Sequence, residues 1–344
     1  MNKKRILMTL SEYNAFGGHS STITNLCLRL NELGYETTIG AFKFNQKPPE
    51  NIKTITLDRF KFISNQNDFD LIHNHHTKLN FYSLFTKKPF IFHLHGAANK
   101  IQEINLKISL LLCKKKISRI IAISNAVLYQ TNNVKNSLPI DIIYCGVDSK
   151  KFNPNITKQY VNGKPQLLFV GVLYEHKNVI ELIKMVKELK TKYPEINLQI
   201  VGDGDDFSNL QQKIKGFKLE ESIELLGKIS NDELKLRYAS CDIYVTASKH
   251  EMLDIPVIEA MSCGKPVVIS DLDAHKELIK LSQAGLTFPL NEMNELPNKI
   301  IEVYENIEQY RNKGRNFAID NDWMEVSKKI AKIYDEEIKR TNLK

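Results

Sequence analysis

Short apolar runs and stretches with helical spacing alternate along this chain, and each half begins with the same order of elements. Residues 5–10 form an apolar run, and a loop that contains Gly17 and Gly18 follows it. After the loop, apolar positions three and four residues apart predict a helix that ends at Gly34, and residues 36–39 begin a second strand. This order predicts a βαβ unit with a glycine-rich first turn.

The second half repeats this order, with a strand at 166–171, a turn at 172–177, a helix at 179–189 and a strand at 197–202. Further short apolar runs lie at 71–72, 90–94, 119–123, 142–144, 243–246 and 266–270. Strands that alternate with helices favour parallel sheets, so the sequence predicts two Rossmann-like α/β domains with a polar segment at 149–165 between them. Ligands of such sheets bind outside the carboxyl ends of the strands, and two domains facing each other would share a cleft.

Length and composition narrow the class of protein. A chain of 344 residues is too long for one ordinary core, and 42% hydrophobic with 26% charged residues is typical of a water-soluble globular protein. No apolar run approaches the roughly 20 residues of a membrane helix, and the run after the basic N-terminus is too short for a signal peptide. Five scattered cysteines without a Cys-x-x-Cys pair favour a reducing cytosol over a disulfide framework or a zinc–thiolate site.

The excess of positive charge is confined to the first half. Residues 1–150 hold 20 Lys and Arg against 10 Asp and Glu, whereas the rest of the chain holds 28 against 30. This asymmetry indicates an anionic partner for the first half, unless it only reflects a lysine-rich coding bias. An apolar stretch at 101–113 runs into Lys114, Lys115 and Lys116. It is either an amphipathic helix resting on an anionic membrane or a core helix with a solvated lysine end.

The segment 251–270 carries the most chemical information. Pro256 suits the first turn of a helix and Gly264 ends it. Glu259 lies in this otherwise apolar helix, where a carboxylate is costly unless something hydrogen-bonds it. Glu251 precedes the helix, in the loop at the carboxyl end of a strand. Both carboxylates and the free amides of the helix start are expected to point into the cleft, although pairing of Glu259 with a buried basic residue is an alternative.

A second informative segment lies at 169–178. Here a strand turns through Gly171 and reaches Lys177 just before a helix. A lysine and the amides of a helix start are a suitable cradle for a diphosphate, whereas by itself such a lysine is commonly just solvated.

Together these segments resemble the retaining glycosyltransferases of the GT-B class, in particular family 4, and the resemblance covers nearly the whole chain. Members usually show a Gly-Arg-Leu…Lys-Gly turn and a Glu-x7-Glu motif. The other matching segments are 17–18, 70–73, 92–96, 121–124, 144–154, 201–204, 226–230 and Trp323. The resemblance implies two Rossmann-like domains facing across a cleft, with an acceptor-binding domain at 1–155 and a domain for the nucleotide sugar at 156–320. The helical segment 321–344 would cross back onto the first domain.

The resemblance also implies a role for individual residues. Glu259 would hold the ribose hydroxyls and Glu251 the hydroxyls of the donor sugar. Lys177 would neutralise the leaving diphosphate, and His95 would contact the sugar near its reacting carbon. The catalytic residues would thus be His95, Lys177 and Glu251. The further donor-binding residues would be Gly17, Gly18, Gly171, Gly204, Lys228, Met252, Leu253, Asp254 and Ile255.

The activity implied is retaining transfer from a UDP- or GDP-linked sugar to a hydroxyl of a glycan, a glycolipid or a lipid-linked acceptor. It would serve cell-surface polysaccharide or glycolipid synthesis, without a metal ion and without a nucleic-acid partner. The expected location is the cytoplasm, with peripheral attachment to an anionic inner membrane face.

Five positions depart from the family pattern, and one of them is Cys145, which replaces the usual asparagine. Val172 stands where the family usually has arginine, Met252 and Asp254 stand where it has glycines, and Asn178 replaces the glycine after the lysine. These departures keep an alternative open, in which the chain is a degenerate homologue that binds a nucleotide sugar or activates a partner.

Two other enzyme classes are weighed against this interpretation. The histidines at 73, 75, 76, 93 and 95 could ligate the metal of a hydrolase, but no aspartate accompanies them. The glycines of 201–204 could bind a nicotinamide dinucleotide, but Phe207 stands where the third glycine is needed. Both classes are therefore disfavoured.

Overall fold

The computed structural model describes residues 3–14, 18–97, 99–132, 134 and 136–343, without the side chains of 59, 60 and 63. The chain divides into two compact units. The first unit combines Met1–Gly146 with Trp323–Lys344, and the second is Val147–Asp322. Within the described residues, no helix has both the length and the apolar character needed to cross a bilayer.

The first unit is built on a seven-stranded sheet in the order β3-β2-β1-β4-β5-β6-β7, with every neighbouring pair parallel. Its elements are β1 (Arg5–Tyr13), α1 (Gly18–Glu32), β2 (Glu36–Phe44), β3 (Lys53–Thr56), α2 (Arg59–Asn65), β4 (Leu71–Asn74), β5 (Phe90–Leu94), α3 (Lys100–Cys113), β6 (Arg119–Ala122) and β7 (Ile140–Ile142). Short 3₁₀ segments lie at Gln66–Asp68, Thr77–Phe85 and Asn125–Thr131. The central strands are buried on both faces, because helices and 3₁₀ segments cover them.

The second unit is built on a six-stranded parallel sheet in the order β10-β9-β8-β11-β12-β13. Its elements are β8 (Gln166–Val170), a 3₁₀ turn (Glu175–Lys177), α4 (Val179–Leu189), β9 (Asn197–Val201), α5 (Phe207–Gly216), β10 (Ile223–Gly227), α6 (Asn231–Ser240), β11 (Ile243–Thr246), α7 (Ile255–Ser262), β12 (Val267–Ser270), α8 (Asp273–Ser282), β13 (Gly285–Phe288), α9 (Glu295–Glu305), α10 (Ile307–Tyr310) and α11 (Lys313–Asp320). The prediction of two Rossmann-like α/β domains is confirmed.

The chain passes from the first unit to the second between residues 146 and 147, whereas the sequence placed the boundary at 155. Hydrogen bonds explain the difference. Ser149 donates its amide and its hydroxyl to Asp322, at 3.0 and 2.7 Å. The Phe152 carbonyl accepts from Ser262 at 2.6 Å and from Arg315 at 3.0 Å. The polar segment that resembled a linker is therefore part of the second unit.

The last helix, α12 (Trp323–Asn342), belongs to the first unit and packs on α1. Its Tyr334 is fully buried, and Lys4 pairs with Asp335 at 2.7 Å. Arg119, on β6, pairs with Glu337 of the same helix at 3.2 Å. The C-terminal segment therefore completes the cover of a sheet whose strands come from the first 146 residues.

Candidate active site

A cluster of charged side chains lies at the carboxyl ends of two neighbouring strands of the second unit. The 3₁₀ turn that follows β8 carries Lys177, and the loop between β11 and α7 carries Glu251 and Asp254. Because β8 and β11 pair in parallel, both loops leave the same edge of the sheet. Lys177 donates a hydrogen bond to Glu251. The structure thus brings together three of the residues that the sequence singled out.

Close backbone contact fixes the loop that leads to Lys177. A Cβ on Gly202, which has φ +140°, would lie 1.8 Å from the Gly171 carbonyl oxygen. A Cβ on Gly204, which has φ +159°, would lie 2.5 Å from the Leu173 carbonyl oxygen. Only glycine fits at both positions, because a side chain would push the two loops apart. Gly204 was predicted to bind the donor, and its visible contact is with this loop.

The backbone also explains three departures from the family pattern. Asn178, directly after Lys177, has φ 54° and ψ 35°, which is the left-handed region. Asparagine tolerates this region better than other residues that carry a side chain, so it preserves the turn that glycine usually makes. Asp254 has φ −98°, and Met252 also lies outside the left-handed region. Neither position therefore needs glycine for its backbone conformation.

Opposite charges hold Lys177 and Asp254 ionised although both are buried. Burial opposes the charge on Lys177, but Asp254 and Glu251 beside it outweigh burial and raise its pKa. Burial also opposes ionisation of Asp254, and the charges of Lys177 and His275 outweigh it, so that its pKa is lowered. For Glu251, burial and the nearby Asp254 outweigh the attraction of Lys177 and raise the pKa. The lysine therefore keeps its proton, while Glu251 is the carboxylate that gains one more readily.

His275, on α8, holds Asp254 in place. Its Nε2 lies 3.4 Å from an Asp254 carboxylate oxygen, and its Nδ1 lies 2.9 Å from the Ser270 carbonyl oxygen. A carbonyl only accepts, so the hydrogen-bond network assigns a hydrogen to Nδ1. Nε2 then faces the Asp254 carboxylate. Sequence analysis missed His275. Its only signal in the sequence was a histidine on the buried side of an amphipathic helix.

Glu259, one turn into α7, has a phenol as its partner. The Tyr238 hydroxyl donates to its carboxylate at 2.8 Å. Burial raises the pKa of Glu259 to about 7, with Tyr238 opposing that rise. The alternative that Glu259 pairs with a buried basic residue is therefore wrong. Nothing in the sequence pattern identified Tyr238, which lies on α6.

The other predicted donor-binding residues are spread more widely. Leu253 packs against the apolar core under α7, and Ile255 is the first residue of that helix. Lys228 is exposed after β10, two strands away from β8. Gly18 begins α1 in the first unit, and Gly17 lies outside the described residues.

The first unit carries a second polar cluster at the same end of its sheet. Residues of β4 and β5 and of the loops after them bring together His73, His75, His93 and His95, and His19 of α1 lies beside them with its ring centroid 4.4 Å from that of His95. We call these five residues the histidine cluster. His93 Nδ1 lies 3.2 Å from His73 Nε2, and His75 Nδ1 lies 3.0 Å from His95 Nε2. The rings therefore hydrogen-bond to each other in pairs.

Burial makes the histidine cluster electrically neutral. It lowers the pKa of His73, His75 and His95 well below the ordinary value, and the neighbouring rings lower it further. The pKa of His93 falls to about 3 for the same reason. Ring nitrogens of His73, His75 and His93 all lie within 4.8 Å of one another. Within the described part of the chain, this group is the one that resembles the metal site of a hydrolase. Among the described residues no carboxylate joins this group.

A cavity of about 590 Å³ opens beside the histidine cluster. Four of the cluster's five rings line it, together with His76 and polar side chains of α3. The cavity lies wholly within the first unit, since its lining runs from Ser11 to Asn105. The first unit therefore offers a space for a small polar group next to neutral imidazoles.

Comparison with known proteins agrees with this architecture. The family model described as Glycosyl transferases group 1 matches residues 153–320, and the Glycosyltransferase Family 4 model matches residues 16–151. An uncharacterized glycosyltransferase of Methanocaldococcus jannaschii is 30% identical over 323 residues, which is 84% of this chain and 80% of that protein.

A GDP-mannose-dependent alpha-mannosyltransferase of Mycobacterium tuberculosis is 27% identical over 197 residues, which is 55% of this chain and 49% of that protein. The crystal structure of Anabaena HepE in complex with UDP and glucose superposes with a TM-score of 0.79 at 19% identity, covering 97% of this chain and 100% of HepE. The hydrolase and oxidoreductase hypotheses lose their basis with these matches. The chain belongs to the family 4 glycosyltransferases and has their GT-B fold.

Proposed function

We propose that this glycosyltransferase is catalytically active, with retention of anomeric configuration, and that its donor is a UDP- or GDP-linked sugar. The observation that carries the proposal is the buried cluster of Lys177, Glu251 and Asp254 at the carboxyl ends of β8 and β11, in which Lys177 and Asp254 are ionised. A buried ammonium whose charge is secured by two carboxylates is suited to a substrate that becomes more negative as it reacts.

Three residues of the candidate site in the second unit each have a proposed role. Lys177 binds the diphosphate, Glu251 accepts hydrogen bonds from hydroxyls of the sugar, and Glu259 accepts them from the ribose. Amides at the start of α7 add partial positive charge for the phosphates. The proposal needs no metal ion, because the lysine and these amides supply the charge.

In the proposed reaction the bond between the anomeric carbon and the diphosphate oxygen breaks, and its electron pair leaves with the diphosphate. The acceptor oxygen forms its bond to the anomeric carbon on the same face of the sugar. The proton of the acceptor hydroxyl passes to the departing phosphate oxygen. His95, as a neutral imidazole, contacts the sugar near this carbon.

The identity of the nucleotide stays open between UDP and GDP. HepE was crystallised with UDP, and the mycobacterial relative depends on GDP-mannose. We propose an acceptor hydroxyl on a glycan, a glycolipid or a lipid-linked sugar, in cell-surface polysaccharide or glycolipid synthesis. The enzyme would act in the cytoplasm, at the inner face of the cell membrane.

The second candidate is a degenerate homologue that binds a nucleotide sugar without turning it over. Its support is Val172, an aliphatic side chain that is 46% exposed at the position where the family usually has arginine. The ion pair between Lys177 and Glu251 and the preserved turn at Asn178 favour the active enzyme.

A screen of sugar nucleotides separates the two candidates. Purified protein is heated with UDP-glucose, UDP-galactose, UDP-N-acetylglucosamine or GDP-mannose. Each donor that raises the melting temperature is then prepared with a radiolabel in its sugar and is incubated with the protein. We expect one donor to stabilise the protein and to lose its sugar, slowly to water and faster to an acceptor. Stabilisation without any sugar release would favour the degenerate homologue, and no stabilisation by any donor would contradict both.

A further inference from the structure

The first unit exposes an unusual apolar surface on two adjacent segments. Of the sixteen large hydrophobic side chains that are exposed in the described residues, eight lie on α3 and on the 3₁₀ segment Thr77–Phe85, which packs against it. We call this surface the apolar face. Its side chains are Phe81, Leu84, Phe85, Ile101, Ile104, Ile108, Leu111 and Leu112.

Helix α3 is apolar on two opposite sides. One side carries Leu106, Leu110 and Cys113, which are buried. On the other side Ile101 is 73% exposed and Leu112 is 59% exposed. Single exposed hydrophobic residues are ordinary, but a continuous row along a helix marks a surface that contacts a partner or a membrane. The helix therefore has a buried core side and an exposed apolar outer side, and a core helix with a solvated lysine end does not account for the outer side.

Positive charge surrounds the apolar face. Between residues 71 and 117 the chain has eight lysines and a single acidic residue, Glu103. Lys115 and Lys116 are exposed directly after α3, and Lys78 and Lys87 are exposed at the two ends of the 3₁₀ segment. An apolar stripe flanked by lysines is complementary to a bilayer with anionic headgroups. The same charges are unfavourable for a second copy of this surface, which would bring lysines against lysines.

The apolar face is continuous with the cavity of the histidine cluster. Ile101 is the first residue of the exposed row and also lines the cavity. Gln102 and Asn105, on the same turns of α3, add polar groups to the lining. A molecule with an apolar tail on α3 could therefore place a polar head group beside His95.

We propose that the apolar face docks on an anionic lipid bilayer, and that the acceptor is a lipid held in that bilayer, whose hydroxyl-bearing head group enters the cavity. The choice of acceptor rests on the proposed transfer of a sugar, whereas the docking does not. A bilayer at this surface explains why half of the exposed large hydrophobic residues gather there, and it brings the acceptor to the polar cavity from its apolar side.

The docking is tested by flotation of the full chain with vesicles. Vesicles of phosphatidylcholine with phosphatidylglycerol are compared with vesicles of phosphatidylcholine alone, over a range of salt concentrations. We expect binding to the anionic vesicles that weakens as salt rises. Replacement of Ile108, Leu111 and Leu112 by serine should weaken it by about tenfold or more, and Lys115→Ala with Lys116→Ala by roughly fivefold for each lysine.

Matched variants of the second unit serve as controls. Val161→Ser with Leu281→Ser removes two apolar side chains of similar exposure, and Lys213→Ala with Lys215→Ala removes two exposed lysines. These controls should bind the vesicles like the parent. Docking is overturned if the parent does not float with anionic vesicles, or if the apolar-face variants bind as well as the controls.

The position of the cavity is tested with a fluorescent label. All five native cysteines are buried, so Ile101→Cys adds one accessible thiol at the rim of the cavity. An environment-sensitive dye on this thiol should shift to shorter wavelength when anionic vesicles are added, and the same dye at Val161→Cys should not. Vesicle binding without a shift at residue 101 would overturn the lipid acceptor. Donor binding and sugar transfer are measured separately, so either failure leaves the proposed sugar transfer standing and removes only its place at the membrane or its lipid acceptor.

Discussion

Each of the two units carries a polar cluster at the carboxyl ends of its parallel strands. The cluster of the second unit is charged, whereas the cluster of the first unit is neutral. In the second unit, loops after β8 and β11 bring Lys177 together with two carboxylates. In the first unit, the region where β4 and β5 end carries a histidine cluster that burial keeps neutral. Both lie where parallel sheets of this class bind their ligands.

The two clusters differ in charge because the buried groups of each have different partners. Lys177 stays charged since Asp254 and Glu251 compensate for the loss of water. The buried imidazoles have mainly other imidazoles as partners, so the charged form of each is unfavourable. The two sheets therefore offer similar places for ligands, and the side chains make one place charged and the other neutral.

The largest effect is expected from removing the cation of the second unit. Lys177→Ala should reduce sugar transfer by roughly 100- to 1000-fold, because the developing charge on the diphosphate then has no ammonium beside it. Steady-state kinetics with the donor found by the screen measure this. Lys184→Ala is the matched control, since that lysine is exposed and pairs only locally with Glu181 at 2.8 Å.

The control should keep the rate of the parent, and both variants should melt cooperatively. If Lys177→Ala transfers sugar as fast as Lys184→Ala, the charged cluster is not the donor site. The contrast between the two units would then have lost its functional meaning.

A smaller effect is expected from the first unit, and of a different kind. His95→Gln should lower the rate of transfer by roughly ten- to a hundredfold, the equivalent of one strong hydrogen bond in the transition state. Affinity for the nucleotide alone should stay within about twofold of the parent, because the nucleotide is bound by the other unit. His76→Gln, on the wall of the same cavity, is the control. A variant at 95 that loses nucleotide affinity and keeps its rate would reverse the assignment.

The sequence predicted those parts of the site that depend on local pattern. Lys177 and Glu251 were found because each follows a recognisable strand and precedes a recognisable helix. Pairings across elements were not found. Glu259 meets Tyr238 from another helix, and Asp254 meets His275 from a third. A polar residue in a buried segment needs a hydrogen-bond partner, but the neighbouring residues in the sequence do not identify that partner.

The same limit applies to the boundary between the units. A segment rich in Lys, Asn, Pro and Gly is typical of a linker, and this composition placed the boundary within residues 149–165. Arg315, more than 160 residues away, donates to carbonyls at Ser149 and Phe152 and ties the segment to the second unit. Such long-range hydrogen bonds leave no trace in local composition.

A third prediction concerns the pH dependence of the second unit. Because burial raises the pKa of Glu259 to about 7, this carboxyl is mostly protonated at pH 6 and mostly ionised at pH 8. Only the carboxylate accepts from both ribose hydroxyls, so nucleoside affinity should rise by roughly tenfold over this interval. Isothermal calorimetry with uridine and guanosine avoids titration of the ligand phosphates.

In Glu259→Gln the rise should disappear, whereas in Glu188→Gln, an exposed residue of α4, it should remain. The sign for stability is opposite. The folded protein holds this proton more tightly than the unfolded chain, whose pKa is near 4.5, so the stabilising contribution is complete below that pH and is lost as pH rises through about 7. A pH-independent affinity in the parent would mean that Glu259 does not hold the ribose.

The smallest effect is expected at Val172, where it decides between the active and the degenerate enzyme. The amide of Lys249 donates to the His176 carbonyl at 2.7 Å, which places Lys249 and His250 beside the turn that carries Lys177. With the Lys249 ammonium near the proposed phosphate site, Val172→Arg should change the affinity for UDP or GDP by less than about threefold. In a decayed site the new charge-assisted hydrogen bond would raise it by roughly ten- to a hundredfold.

Val172→Met controls for side-chain length, and calorimetry with UMP and GMP isolates the second phosphate. A parent that binds diphosphates no better than monophosphates, together with a large gain in Val172→Arg, would identify the chain as the degenerate homologue.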